Sequence, residues 1–168
     1  MAISETAPAG AVTGRTASGR TASGRGRIPA AALWLGLAGA LPFLALAAAL
    51  FLAAPDLRPV ALQAIAAYGA VILSFLGGIH WGLALQAGRP SWSRLGPAVL
   101  PSLLGWAALL LAPVPGLLLL AAGFIAMALA DHRTARAGAA PAWYPRLRWP
   151  LSGTVTASLC LSVLAIAG

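Results

Sequence analysis

The sequence predicts an all-α, polytopic membrane bundle of five transmembrane helices behind a disordered N-terminal tail, and three observations predict it. Hydrophobic residues make up 60% of the 168 residues and charged residues only 8%, a balance outside that of soluble domains. The apolar residues are gathered into runs near the ~20 residues that cross a ~30 Å hydrocarbon core. Ten of the eleven basic residues, all arginine, fall in three hydrophilic segments between those runs. That is the loop bias of the positive-inside rule, and it cannot make one continuous phosphate-tracking face, so nucleic acid is not an expected partner.

Residues 1–29 carry the repeat GRTAS at 14–18 and again at 19–23. A stretch so rich in Gly, Ser, Thr and Arg buries too little apolar surface to offset ordering entropy, so it reads as a disordered cytoplasmic tail. It lacks the short apolar core and cleavage site of a secretory signal; a mitochondrial transit peptide is the alternative for this Arg- and Ser-rich tail.

The transmembrane domain is 30–168. The first span is placed at 30–53, with Pro42 at its middle removing the hydrogen bond to the Ala38 carbonyl. Pro55, Asp56, Arg58 and Pro59 form the turn that follows. The second span, 60–86, is longer than the hydrocarbon core requires and is expected to tilt. Within it Ala66, Ala70, Ser74, Gly78 and Gly82 recur every four residues. This small-residue ridge predicts close packing through Ser74, Gly78 and Gly82 against the first or last helix.

The third span is placed at 95–112 after a loop at 88–94, and an uncharged Pro113–Gly116 turn leads to a short fourth span at 116–130. Residues 131–150 are polar, with four arginines and the aromatics Trp143, Tyr144 and Trp149. They read as an interfacial anchor attracted to anionic headgroups. The fifth span, 151–168, carries Thr154, Ser158 and Ser162 at four-residue spacing, either to dock on the second helix or to bond their own i−4 carbonyls.

His80 is the one ionisable side chain inside a predicted span, which makes it the default functional candidate in an apolar medium. It lies about 9 Å before the inner end of its helix, on the side where Asp131, His132 and the 143–148 segment meet the membrane. The candidate ligand or partner site is therefore His80 and Trp81 with Trp143, Tyr144, Arg146 and Arg148. No catalytic constellation, metal site or cofactor is expected. With three acidic residues in the chain acid–base chemistry has few players, and Asp131, His132 and Cys160 have no metal-ligand spacing.

The stretches YGAVILSFLGGIHWGLAL, RLGPAVLPSLLGW and PAWYPRLRWPL resemble, in order, a family of small multi-span membrane proteins grouped as a domain of unknown function, whose animal member is transmembrane protein 69. The resemblance implies a bacterial inner-membrane or mitochondrial membrane protein and assigns no functional residues.

Two functional readings follow. One is a non-enzymatic structural, assembly or interaction protein whose partners are the lipid bilayer, anionic headgroups and another membrane protein. The other is a small-ligand, lipid or cofactor binding or transport protein with its site near His80. The arginine distribution places the N-terminus in the cytoplasm of a bacterial inner membrane and the C-terminus outside. The alternative is the mitochondrial inner membrane, with the matrix as the inside.

Overall fold

The structure, a computed structural model, describes residues 26–88 and 91–167. These form five helices: α1 (Ala30–Leu52), α2 (Arg58–Gln86), α3 (Trp92–Leu110), α4 (Pro113–Arg136) and α5 (Tyr144–Ala167). The all-helical class is as predicted, and the protein is a membrane protein. Helices α1, α2, α4 and α5 are long and apolar enough to cross a membrane. Helix α3 falls outside that measure; it has 19 residues, begins with Trp92, Ser93 and Arg94, and contains two prolines. The predicted tail lies almost wholly outside the described residues.

Each helix packs on its neighbours in chain order, α5 closes the ring against α1, and α2 also touches α4 across the centre. The core is built on that diagonal. Phe43 of α1 meets Phe124 of α4 edge-on, with centroids 5.7 Å apart, and Tyr68 of α2 at 4.9 Å. Ile65, Leu73, Leu120 and Leu159 fill the space around them with no exposed surface. Outward-facing Leu35, Leu52, Val71, Phe75, Trp106 and Leu164 are more than half exposed, an arrangement suited to hydrocarbon. In water such a surface would be a large uncovered apolar patch.

The tightest seam joins α2 to α3, which runs antiparallel to it. A Cβ on Gly77 would stand 2.5 Å from the Ala98 carbonyl oxygen, and one on Gly105 would stand 3.0 Å from that of Ala70. Between these contacts the hydroxyls of Ser74 and Ser102 share a hydrogen bond of 2.8 Å. The predicted ridge is therefore corrected in part. Ser74 does lie in a helix interface, but with α3 rather than α1 or α5. Gly78 and Gly82 are exposed, and a Cβ on either would meet nothing within 4 Å. The reason is helical geometry: at about 100° per residue, a four-residue spacing precesses by about 40° at every step. Seven-residue spacing nearly closes, and Ala70, Gly77 and Ala84, at that spacing, all stay buried.

The ends of α4 and α5 also differ from expectation. Pro113 is not in a turn; it starts α4, where a missing N–H leaves nothing unpaired that the helix would have used. Helix α4 then runs to Arg136 instead of stopping at residue 130, with Arg133 and Arg136 in its last turn, where cations face the negative end of the helix dipole. Helix α5 starts at Tyr144, seven residues before the predicted span, and carries Pro150 inside it. The predicted 20-residue loop shrinks to 137–143. Ser158 and Ser162 bond the carbonyls of Thr154 and Ser158 at 2.9 and 2.8 Å, and α5 docks on α4 and α1 rather than on α2.

Candidate functional site

The lengthened ends of α4 and α5 create the site. Asp131, nineteenth in α4 by its Pro113 start, is only 1% exposed, and the last two turns of the helix carry it inward instead of into a loop. Its Oδ1 lies 2.8 Å from Nε2 of His80 on α2, and its Oδ2 accepts a 2.7 Å hydrogen bond from Nε of Arg148 on α5. His80 and Arg148 are 18% and 11% exposed. Three helices are thus tied together by one buried carboxylate.

The chemistry of the cluster follows from its donor count. An ionised carboxylate only accepts, so His80 donates through Nε2 and its Nδ1 remains free to accept a proton or a hydrogen bond. Asp131 and Arg148 cancel each other's charge, which is what allows them to be buried. The cluster also leaves donors over. Arg148 Nη2, Tyr144 Oη and Ser152 Oγ are buried and have no hydrogen-bond partner among the described residues.

Two cavities flank the cluster. The first, about 390 Å³, is lined by His80, Ala84, Arg94, Ala98, Met127 and Thr134, so it lies between α2, α3 and α4 and reaches the arginine-bearing end of the bundle. The second, about 140 Å³, is lined by α1, α2, α4 and α5, with Arg148 and Ser152 among otherwise apolar walls.

Of the residues singled out from sequence, His80 and Arg148 are joined through Asp131. Tyr144 is half-buried beside Asp131 and Arg148, although its buried hydroxyl meets no hydrogen-bond geometry. Trp143 stacks edge-on against Tyr144 at 6.0 Å. Arg146 is exposed and bonds the Gly26 carbonyl at 3.3 Å, tying α5 to the segment that precedes α1 without facing the cluster. Trp81 points elsewhere, into a surface hollow with Trp92 and Leu95.

Sequence reading placed Asp131 near the site but not among its residues. Ser152 and Thr134 were not singled out at all. The available signal was that Asp131 is the one acid of the chain within a helical turn of a predicted inner membrane boundary, the same boundary His80 approaches.

The model of a family described as a protein of unknown function, DUF3429, matches residues 28–164. Transmembrane protein 69 of Xenopus tropicalis is 45% identical over 85 residues, which cover 49% of this chain and 33% of that protein. Transmembrane protein 69 of Mus musculus is 39% identical over 85 residues, covering 49% and 34%. The aligned stretch is therefore about a third of the length of these curated relatives. No solved structure matches the chain.

Proposed function

The chain belongs to the DUF3429 family, whose proteins are of unknown function, and we propose that it is a non-enzymatic membrane protein that binds an anionic lipid headgroup or similar small anion beside His80. The observation that carries this reading is the 390 Å³ cavity with His80 on its wall and Arg94 among its lining residues. That volume lies within the ~300–1,000 Å³ of small-molecule sites. Arg94 can give an incoming phosphate or carboxylate paired N–H donors, and His80, whose Nε2 is held by Asp131, adds an N–H from Nδ1 in its imidazolium form, in which both ring nitrogens donate. Protein extracted from membranes and analysed by mass should be enriched in anionic lipid relative to the bulk. In His80→Leu and Arg94→Gln that enrichment should fall about tenfold, to the bulk level, the loss of a charge-assisted hydrogen bond in each case. Equal enrichment in all three proteins would sink the reading.

A second reading, an assembly partner, is favoured by one observation: Gly78 and Gly82 lie open on the outer face of α2 beside exposed Phe75, where a helix of another protein can approach closely.

The proposed orientation has the N-terminus inside. Among the described residues Arg27, Arg94, Arg133, Arg136, Arg146 and Arg148 all belong to one end of the bundle, and Arg58 alone to the other. The relatives named above come from a frog and a mouse, which favours the mitochondrial inner membrane over a bacterial one; the inside is then the matrix. A fluorescent reporter fused after Gly168 should be accessible to protease from the outer side of the membrane. Protection from that side and cleavage from the other would reverse the orientation.

A further inference from the structure

The second cavity lies on the opposite flank of Asp131 from the one just discussed and has a different character. Phe43, Ile72, Leu76, Phe124, Leu151 and Val155 make its walls. Leu35 and Phe75 also line it and are 74% and 63% exposed, so its mouth opens sideways, toward hydrocarbon, between α1 and α2. At about 140 Å³ it is close to the ~150 Å³ apolar cavity that holds a benzene ring in another protein.

Two of its lining residues carry unused donors. Ser152 is 4% exposed, yet its hydroxyl has no partner among the described residues. The other two serines of α5 behave differently, since Ser158 and Ser162 each bond the carbonyl four residues back, the default for a helical serine in an apolar setting. One turn before Ser152, Arg148 gives Nε to Asp131 and keeps Nη2 unpaired. A buried donor left in this condition costs roughly 1–3 kcal/mol, so an acceptor entering here is bound by groups that otherwise have none.

We propose that this cavity is a binding site for a membrane-dissolved, ring-sized carbonyl compound, of which a benzoquinone is the simplest chemical type, with its carbonyl oxygen on Arg148 Nη2 and Ser152 Oγ and its ring among Phe43, Phe124 and Val155. The lateral mouth selects a ligand that arrives through the bilayer with its tail still in lipid. The charge state selects a neutral one. Asp131 already cancels Arg148, so a carboxylate would bring an uncompensated charge into an apolar slot.

The test is equilibrium partitioning of decyl-benzoquinone between lipid nanodiscs that hold the protein and empty nanodiscs, with decylbenzene and decanoate as comparison probes. The wild-type protein should take up decyl-benzoquinone saturably at one site per chain. The Ser152→Ala variant should weaken the binding about fivefold, the usual size of one neutral hydrogen bond, and decylbenzene, which forfeits the bonds to both Ser152 and the charged Arg148, should bind at least about 50-fold more weakly. Gly39 lines the cavity, and a Cβ there would meet only the Tyr68 hydroxyl, at 4.0 Å, so Gly39→Val should fill the slot and abolish binding without a backbone clash. Gly78→Leu, on the outer face of α2, should bind as the wild type does. Uptake no greater than in empty discs would overturn the proposal. So would wild-type uptake by a folded Gly39→Val protein, decylbenzene binding as tightly as the quinone, or preference for decanoate. If Gly39→Val fails to fold, the Ser152→Ala ratio and the decylbenzene comparison decide alone. None of these measurements uses His80 or Arg94, so this site and the anion site fail independently.

Discussion

Replacing Asp131 with alanine should lower the stability of the solubilised protein by about 3 kcal/mol or more, because removing one partner of a buried ion pair strands the other. Arg148 would keep its charge at 11% exposure, and His80 would lose the acceptor for Nε2. A hydrogen bond between membrane helices is worth only about 0.6 kcal/mol on average; the stranded charge, not the lost bonds, sets the size of the effect. His80→Leu, which leaves the Asp131–Arg148 pair intact, should therefore cost much less. The double variant Asp131→Ala, Arg148→Met should recover most of the loss, since no charge then remains to be desolvated. The check is unfolding in a denaturing detergent, monitored by circular dichroism. Wild-type unfolding of Asp131→Ala would mean that the carboxylate is not buried.

Gly77→Val should be as damaging as Gly78→Leu is harmless. At Gly77 any Cβ must displace the backbone carbonyl of Ala98, 2.5 Å away, and the ring of Pro101 at 3.2 Å, neither of which is a flexible chain end. Overpacking of this kind costs about 1–3 kcal/mol where side chains can yield and more where backbone must move. One residue further on, Gly78 faces open space, and leucine there only adds apolar surface to a lipid-facing stripe. The pair distinguishes the α2–α3 seam from the ridge that four-residue spacing predicts. Loss of stability in Gly78→Leu but not in Gly77→Val would invert the helix.

Those two glycines also mark what was legible in the sequence. Hydropathy alone locates α1, α2, α4 and α5, because runs of apolar residues near membrane length have few other uses; α3 is read from the shorter apolar run between two loops. Their faces are harder to read, since α2 is apolar or small nearly all round and offers no polar side to orient it. Only the choice between four- and seven-residue spacing separates Gly78 from Gly77. The helix ends failed for a related reason. Asp131, Arg133, Arg136, Arg146 and Arg148 end a hydropathy run but not a helix, and a hydropathy reading treats the two as the same event. One of the three members of the cluster is hidden there: sequence points to His80 and Arg148, while the carboxylate that joins them falls in the polar stretch that hydropathy reads as loop.

The account rests on His80, Asp131 and Arg148 being joined within the membrane, and magic-angle-spinning NMR of selectively labelled protein in lipid bilayers measures that join directly. A 2.8 Å hydrogen bond between His80 Nε2 and Asp131 Oδ1 puts the imidazole nitrogen within about 4 Å of the Asp131 carboxyl carbon, close enough for a strong nitrogen–carbon dipolar coupling. The account predicts that coupling, its loss in Asp131→Ala, and a matching one between Arg148 Nε and the same carbon. A protein that is folded in the bilayer but shows neither coupling would contradict it.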